Sequence, residues 1–386
     1  MKKLIFYCQY LSGMGHLIRS TVLVNALSEH FQVMLVIGGP KIKDFEESRV
    51  ARIEYLPPLW LEGGVLKVPE GSFGVENVKR RRKERLLALT DEFSPDVVMT
   101  EFFPFGRHDL SFELIPWMEQ IKHQHPDTLV LSSLRDLIGK TVLHKQIDLI
   151  SGLVEKYFHG VFVHSDESFL SFQESFPEPE AIHCPIFHSG FVAQDISPNQ
   201  YAAEKPFILV SIGGGRIGAE LLYASVEVAK KFLDSEYPYE FRIFAGPFMD
   251  DTQYAELKRV SSDLKNVHLE RFTPNLTAYM SSAALSISCA GYNTTMNVLR
   301  AKVPAILIPF GHYDFDKEQA IRAIRLEGIG AVKVIMPKDL SIDHLACTIR
   351  SELEREHPEP VIDLDGAIKT SEKIKQLVDK KELITQ

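Results

Sequence analysis

Short, unbroken runs of apolar residues recur along this chain, each followed by a polar or glycine-containing turn and then by a helical pattern of apolar positions. Residues 3–9, 207–212 and 285–289 are examples of such runs. Apolar runs that do not alternate with polar residues are typical of strands buried on both faces of a parallel sheet. The pattern therefore predicts an α/β protein in which helices cover parallel sheets.

The strand and helix pattern occurs twice, on either side of a polar segment with two prolines at 193–206. A chain of 386 residues also exceeds what one ordinary core accommodates. We expect an N-terminal domain at 1–192, a linker at 193–206, a second domain at 207–365 and a terminal helix at 366–386 that docks on the first domain. Both domains should be doubly wound and Rossmann-like, facing across a cleft.

Composition and charge limit the kinds of function that this chain can have. The chain is 45% hydrophobic and 25% charged, with a net charge of -9, which argues against a general nucleic-acid-binding protein. The basic run Lys79–Arg85 is either a solvated helix face or a patch for anionic lipid or phosphate.

Cysteine use and apolar segment length indicate a cytoplasmic protein. The four cysteines are widely spaced, which favours reduced and mostly buried thiols. The N-terminal apolar run is short and predicts a first strand rather than a signal peptide, and no run approaches a membrane span. Peripheral contact with the inner membrane face stays open. The histidines form no HxxxH or HExxH pair, so no metal site is predicted.

The first glycine-containing turn, with Gly13 and Gly15, follows the first predicted strand. It lacks the third glycine and the acidic residue of a dinucleotide-binding fingerprint, and instead leads into His16 and Arg19. The helix dipole favours a neutral imidazole at this position, which is the form that a general base requires. His16 is therefore a candidate base, or alternatively a residue that caps or packs the turn.

Two glycine-containing turns in the second half predict anion binding. Gly213, Gly214 and Gly215 can let backbone N–H groups converge on a phosphate, with Arg216 beside them, unless they form only a flexible turn. Gly291 precedes a helix that opens with Asn293, Thr294 and Thr295. These side chains can cap the helix or bind a pyrophosphate, and the sequence alone does not separate the two roles.

Further polar residues follow other predicted strands. Glu318 and Gln319 begin a helix and suit sugar or ribose hydroxyls, although Glu318 can also simply complement the helix dipole. In the first half, four side chains follow strand ends, where ligands bind in open α/β sheets: Glu101, Arg107, Arg135 and Asp136. They are candidates for the acceptor side of a site, or for salt bridges and helix caps.

Taken together, these motifs resemble the GT-B glycosyltransferases of the family 28 type, in particular the group that includes the enzyme adding N-acetylglucosamine to lipid I. The matching segments are Gly13–Ser20, Phe103–Arg107, Leu134–Asp136, Ser189–Val192, Gly213–Gly215, Ala245–Phe248, Gly291–Thr295 and Glu318–Ala323. They occur in the expected order along nearly the whole chain.

The resemblance implies a nucleotide-sugar donor, UDP-linked, held mainly by the second domain, and an acceptor on the first domain, with no metal and no cofactor. It implies that Gly213–Gly215 and the segment Gly291–Thr295, including Tyr292, hold the donor, with Phe272 near the base. Gly13, Gly15, Arg19, Arg107 and Arg135 would serve the acceptor or a phosphate. One departure stands out: related enzymes carry a ribose-binding Glu where this chain has Asn297.

Three functions follow from these residues. The leading hypothesis is sugar transfer to a hydroxyl, with His16, Glu101 or Asp136 as the base. A UDP-sugar hydrolase would use water as the acceptor. A nucleotide-sugar-binding protein without catalysis would bind the donor and leave it intact.

Overall fold

The chain divides into two compact units. The computed structural model describes residues 1–386 except 12, 43–44, 46–47, 49, 139–143, 197–203, 234–236, 312–316, 360 and 386. Unit 1 comprises Met1–Val192 and Ile362–Gln386, and unit 2 comprises Ala193–Val361. Much of the predicted linker, residues 197–203, lies outside the described residues. Residues 362–365 group with unit 1 because Phe191 N–H donates to the Asp363 carbonyl at 2.8 Å and Val192 pairs with Asp365.

Unit 1 is built on a seven-stranded parallel sheet. Its strands are β1 (Lys2–Cys8), β2 (Phe31–Ile37), β3 (Arg52–Tyr55), β6 (Val97–Glu101), β7 (Leu129–Arg135), β8 (Gly160–His164) and β9 (Ile186–His188), with a separate antiparallel hairpin of β4 (Trp60–Glu62) and β5 (Val65–Lys67). The strand order is β3-β2-β1-β6-β7-β8-β9. The connections run outward from β1 on one side and from β6 on the other, so the sheet is doubly wound.

Helices α1 (Gly15–Leu27), α2 (Val75–Phe93), α3 (Ser111–Gln124), α4 (His144–Tyr157) and α11 (Gly366–Thr385) complete unit 1. The terminal helix α11 packs against α1, where Ser371 Oγ donates to the Ala26 carbonyl at 2.9 Å. Ile374 and Val378 of α11 are buried. Burial of these apolar side chains anchors the end of the chain to unit 1.

Unit 2 repeats this architecture with six parallel strands. They are β10 (Phe207–Ser211), β11 (Glu240–Phe244), β12 (Val267–Glu270), β13 (Leu285–Cys289), β14 (Ala305–Ile308) and β15 (Lys333–Val334), in the order β12-β11-β10-β13-β14-β15. The helices are α5 (Ala219–Leu233), α6 (Asp251–Ser261), α7 (Leu276–Ser282), α8 (Tyr292–Ala301), α9 (Glu318–Gly328) and α10 (Ile342–Glu354). The predicted fold class is confirmed, since both units are doubly wound, Rossmann-like α/β structures.

Both faces of the unit 2 sheet are covered, as the continuous apolar runs predict. Ile208 and Val210 share a core with apolar residues of α5 and α10 on one face. Tyr279 of α7 contacts Phe207 and Phe244 on the other, with ring centroids 6.3 and 5.0 Å apart. Burial on both faces explains why these strands are apolar at successive positions.

Several elements differ from the sequence-based prediction. The apolar residues at 181–187 predict a strand there, but the strand is shorter and lies at Ile186–His188, after a single helical turn at Pro179–Ala181. The short strands β3, β4 and β5 and helix α3 lack a strong local signal and were not predicted. Three-residue strands such as β4 and β5 carry too few positions to show a period of two.

Candidate active site

In unit 1, His16 and Glu101 meet where the strand connections reverse direction. His16 lies in the first turn of α1, directly after β1, and Glu101 is the last residue of β6. Because β1 and β6 are neighbours in the sheet, their carboxyl ends bring the two side chains together. His16 Nδ1 lies 2.7 Å from Glu101 Oε1. This junction is where open α/β sheets bind their ligands.

Buried charges around this pair set its protonation. Burial alone would raise the pKa of Glu101, but the ion pair with Arg19 and the hydrogen bond with His16 outweigh it and lower the pKa to about 2. Burial and then the nearby Arg107 lower the pKa of His16 well below its usual range. An ionised Glu101 accepts a hydrogen bond from Nδ1–H of neutral His16, which leaves the Nε2 lone pair available to take a proton.

Glu101 is also bonded on its second oxygen. Ser133 Oγ, at the carboxyl end of β7, donates to Glu101 Oε2 at 3.1 Å. Ser133 Oγ in turn lies 2.9 Å from Nε2 of His164, the last residue of β8. His164 Nδ1 lies 2.8 Å from Ser189 Oγ. These side chains, at or near the carboxyl ends of the neighbouring strands β6, β7, β8 and β9, thus form one buried line of hydrogen bonds.

Two predicted arginines flank one aromatic ring beside this cluster. The guanidinium groups of Arg107 and Arg135 each lie 5.5 Å from the ring centroid of Phe102. A Cβ on Gly106 would lie 2.5 Å from that ring, so glycine permits the close approach. Burial lowers the pKa of the Arg107 guanidinium, and its Nε has no hydrogen-bond partner among the described residues. Two cations held together in this way suit an anionic ligand.

The other predicted residues of unit 1 make contacts of their own. Asp136 is fully buried just after β7, and its Oδ1 accepts the Leu137 N–H at 2.9 Å. Gly13 lies between β1 and α1, and Gly15 is the first residue of α1, next to His16. Arg19 is bonded to Glu101.

In unit 2, the glycine-rich turn after β10 crosses the turn after β11 in backbone contact. Gly215 has a φ of 90°, and a Cβ there would lie 2.6 Å from the Ala245 carbonyl oxygen. Phe248 N–H donates to the Gly214 carbonyl at 2.9 Å. Gly213 is exposed, and the Arg216 guanidinium lies 5.0 Å from the Phe248 ring centroid. The turn is therefore a defined structure rather than a flexible connection.

Helix α8 begins beside that turn, because β13 is the neighbour of β10. Its N-cap is Gly291, which has no side chain to cap the helix. Asn293, Thr294 and Thr295 lie within the first turns of α8 and not at the N-cap position. Thr295 Oγ1 is buried and has no hydrogen-bond partner among the described residues. Backbone N–H groups at a helix N-terminus are suited to an anion.

The remaining predicted donor residues of unit 2 occupy different settings. Asn297 is buried and its amide bonds Gln194 twice: it accepts Gln194 N–H at 3.0 Å and donates to Gln194 Oε1 at 2.7 Å. Glu318 and Gln319 open α9, and Tyr292 opens α8 with its ring 5.5 Å from the Arg322 guanidinium. Phe272 is half-buried in the loop after β12. Residues 312–316, which precede α9, lie outside the described residues.

Sequence reasoning named Glu101 and His16 but missed three groups that support them: Ser133, His164 and Ser189. Ser133 lies two residues before the end of β7, His164 ends β8, and Ser189 directly follows β9. A polar residue at the carboxyl end of each successive parallel strand is the signal that could have identified them.

The basic run Lys79–Arg85 lies on α2, and most of its charges are already paired. Arg82 is buried and pairs with Glu113 at 2.6 Å, and it also donates to the Gly38 carbonyl at 2.7 Å. The outer pairs are Lys79–Glu76 at 2.7 Å, Arg80–Glu84 at 3.1 Å and Arg85–Glu54 at 3.0 Å. Arg82 therefore cannot contact a lipid, and the pairs favour the solvated helix face for the outer members of the run.

Within the described ranges, no three His, Cys, Asp or Glu side chains are placed to hold a metal ion. None of the helices in the described part of the chain combines the length and apolarity needed to span a bilayer. Burial raises the pKa of the Cys8 and Cys289 thiols to about 12, which favours packing over nucleophilic roles.

Comparison with known proteins agrees with this architecture. Residues 209–377 match the model of the glycosyltransferase family 28 C-terminal domain. The UDP-N-acetylglucosamine--N-acetylmuramyl-(pentapeptide) pyrophosphoryl-undecaprenol N-acetylglucosamine transferase of Mannheimia succiniciproducens is 27% identical over 217 residues, which are 56% of this chain and 58% of that protein. The chain thus matches little more than half the length of this curated relative.

Solved structures share the whole fold at low identity. MurG of Acinetobacter baumannii superposes with a TM-score of 0.55 and 16% identity, covering 98% of this chain and 99% of that one. A calicheamicin glycosyltransferase superposes with a TM-score of 0.56 and 17% identity, covering 98% of each chain. Two doubly wound units with these neighbours show the GT-B fold. The match of residues 209–377 and the curated relative confirm the resemblance to family 28 that the motifs predict.

Proposed function

We propose that this protein is a glycosyltransferase that moves a sugar from a UDP-linked donor to an acceptor hydroxyl without a metal or cofactor. The observation that carries the proposal is the His16–Glu101 pair, in which a buried carboxylate lies 2.7 Å from Nδ1 of the imidazole. The match of residues 209–377 to the family 28 C-terminal domain supports a nucleotide-sugar donor in unit 2.

In the proposed reaction, His16 Nε2 takes the proton of the acceptor hydroxyl as its oxygen attacks the anomeric carbon of the sugar. The bond between that carbon and the diphosphate oxygen breaks, and the nucleoside diphosphate leaves with the bonding electron pair. The imidazolium that forms on His16 is stabilised by the ionised Glu101. Glu101 thus supports the base, and Asp136, with its local backbone bond, is not needed for proton removal.

The donor would be held by backbone groups more than by side chains. Gly213, Gly214 and the N-terminus of α8 offer N–H groups to the diphosphate, and Arg216 adds a positive charge. Glu318, Gln319 and Phe272 are proposed contacts of the sugar and base. Because Asn297 is engaged by Gln194, we propose that it supports α8 and does not bind the ribose.

The acceptor would carry an anionic group next to its hydroxyl. Arg107 and Arg135 flank Phe102 close to His16, whose ring centroid lies 5.5 Å from that of Phe102. The curated relative is named for a pyrophosphoryl-undecaprenol acceptor, and we propose a lipid-linked phosphate or diphosphate acceptor for this chain. Peripheral contact with the cytoplasmic membrane face would follow, and Arg81 is among the exposed cations of the basic run.

Membrane contact is tested by pelleting with anionic vesicles at low and high salt, because electrostatic binding weakens with salt. Binding at low salt that Arg81→Ala weakens supports the contact. No binding at low salt removes it, without bearing on the transferase proposal.

The transferase proposal is tested with labelled UDP-sugars and a lipid extract that supplies acceptors. The purified protein should release UDP and move label into the lipid phase only when donor and extract are both present. Release of free sugar from the donor alone would instead establish a hydrolase. A thermal shift by UDP-sugar with no consumption under either condition would establish a binding protein without catalysis.

A further inference from the structure

A line of buried hydrogen bonds extends from the base side of the site into the interior of unit 1. It passes from Glu101 Oε2 to Ser133 Oγ (3.1 Å), to His164 Nε2 (2.9 Å), and from His164 Nδ1 to Ser189 Oγ (2.8 Å). Ser133 and His164 have no exposed surface, and Ser189 is buried. These groups are out of reach of a substrate, so their chemistry must act through Glu101.

His164 in this line is neutral and therefore carries one ring N–H. Burial, and then the positive charge of Arg19, lower the pKa of His164 to about 3. A neutral imidazole has one nitrogen that donates and one that accepts. Which nitrogen carries the hydrogen decides the direction of every hydrogen bond in the line.

The two tautomers of His164 differ in whether the Ser133 hydroxyl can donate a hydrogen bond to Glu101. With hydrogen on Nε2, His164 donates to Ser133 Oγ, and the Ser133 hydroxyl is left to donate to the carboxylate. Ser189 then donates to Nδ1. With hydrogen on Nδ1, His164 donates to Ser189, whose hydroxyl turns to the Gly190 carbonyl at 3.2 Å, and Ser133 donates to Nε2 instead of to Glu101.

The first tautomer is favoured because a hydrogen bond to an ionised carboxylate is stronger than one to a neutral nitrogen. In this tautomer the two oxygens of Glu101 have different hydrogen-bond partners. Oε1 meets His16 and Arg19, whereas Oε2 is held by Ser133. A carboxylate fixed at both oxygens cannot rotate away from the imidazole.

We propose that His164 and Ser133 are positioning residues for the transfer reaction: they direct a hydroxyl onto Oε2 of Glu101 and so hold Oε1 against Nδ1 of His16. This inference rests on the proposed function for its kinetic consequence, because Glu101 matters to turnover only if His16 accepts a proton. The charged groups that face Glu101 besides this line are Arg19 and Arg107.

The kinetic test compares two buried serines that are neighbours on β7. Ser133→Ala should lower kcat by about tenfold to a hundredfold, the effect of one hydrogen bond to a charged group, and leave KM for the donor unchanged. Ser132→Ala is the matched control, because Ser132 is equally buried but donates to the Phe103 carbonyl at 2.8 Å. It should leave kcat close to wild type. His164→Gln, which keeps a donor toward Ser133, should retain more activity than His164→Leu.

A double variant tests whether the line acts through Glu101. In a Glu101→Gln background, Ser133→Ala should cause no further tenfold loss, because the carboxylate that it serves is already gone. An equal loss of kcat in both backgrounds would overturn the proposal.

Nitrogen-15 NMR of histidine-labelled protein tests the line without any substrate. At pH 7 the His164 resonances, assigned by their loss in His164→Gln, should show hydrogen on Nε2. Ser133→Ala should move the hydrogen to Nδ1, where Ser189 still accepts. Hydrogen on Nδ1 in the wild-type protein would overturn the inference. If donor turnover is absent altogether, the proposed function fails while the NMR result still decides the hydrogen-bond line.

Discussion

At the scale of single residues, the proposed base is a weakly basic imidazole that lies beside an ionised carboxylate. Burial and Arg107 lower the pKa of His16, which keeps the imidazole neutral but also reduces its basicity. Glu101 compensates because it is ionised and lies against Nδ1. The pair can therefore accept a proton on Nε2 only while the carboxylate is held in place.

Replacement of the base should affect the chemical step and spare binding. His16→Ala is expected to lower kcat by about a hundredfold to ten thousandfold, the usual contribution of a general base, with little change in the thermal shift caused by UDP. His30→Ala, beyond the other end of α1, is the matched control and should keep wild-type turnover. Unchanged kcat in His16→Ala would exclude the proposed role.

Buried His164 should make unit 1 sensitive to acid. Its pKa is about 3 in the folded chain and about 6.5 when unfolded. Between these values only the unfolded chain binds the proton, so the free energy of unfolding falls as the pH drops below 6.5. When the pH falls from 7 to 5, protonation of this residue in the unfolded chain should lower the free energy of unfolding by about 2 kcal/mol.

Urea unfolding followed by tryptophan fluorescence measures this effect in unit 1, because both tryptophans, Trp60 and Trp117, lie there. His164→Gln should lose less stability than wild type between pH 7 and pH 5. The same pH dependence in both proteins would show that folding does not lower the pKa of His164.

At the scale of elements, tight backbone contacts and buried ions position the two sites. In unit 2 the glycine turn can cross the turn after β11 only because Gly215 lacks a Cβ. In unit 1, α2 is tied to the sheet by Arg82, which reaches Glu113 of α3 and the carbonyl after β2. The glycine turn of unit 2 and helix α2 of unit 1 are thus each held by specific contacts.

The basic run on α2 offers a matched pair of arginines for testing this view. Arg82→Ala should destabilise unit 1 by about 3–5 kcal/mol, because it leaves the Glu113 carboxylate buried without its partner. Arg81→Ala removes an exposed side chain and should change stability by no more than about 0.5 kcal/mol. Urea unfolding by tryptophan fluorescence distinguishes them. Equal, small effects would mean that Arg82 is not part of the core.

At the scale of the whole molecule, the chain leaves unit 1 at Val192 and returns to it at Ile362. The two passages are joined by hydrogen bonds between Phe191 and Asp363 and between Gly366 and Phe191. Helix α11 then closes unit 1 by covering α1, which carries His16. The last segment of the chain therefore contributes to the stability of the first.

Two isoleucines of α11, one buried and one exposed, distinguish the effect of side-chain burial on the stability of unit 1 from the effect of helix propensity. Ile374 is fully buried, whereas Ile368 has 54% of its surface exposed. Ile374→Ala should lower the stability of unit 1 by about 2–5 kcal/mol, and Ile368→Ala by no more than about 0.5 kcal/mol. Tryptophan fluorescence reports unit 1, and hydrogen exchange of peptides from β10 and β13 reports unit 2. Loss of protection in unit 2 alone would contradict the assignment of α11 to unit 1.

The sequence by itself determined what depends on neighbouring residues. Continuous apolar runs placed the central strands, because a strand buried on both faces needs them, and the turns after β1, β10 and β13 were evident from their glycines. His16 and the glycine turns were identified for the same local reason. The motif order then indicated the GT-B class.

Only the tertiary structure decided which distant residues meet and which charges are buried. Glu101 reaches His16 across 85 positions of the chain, and Ser133 reaches His164 across 31, because strand order places their carboxyl ends side by side. Arg82, in a run that resembles a surface patch, is buried because its helix face turns to the sheet. Asn297 bonds Gln194 across 103 positions. Local patterns specify elements, but sheet order and packing decide these contacts.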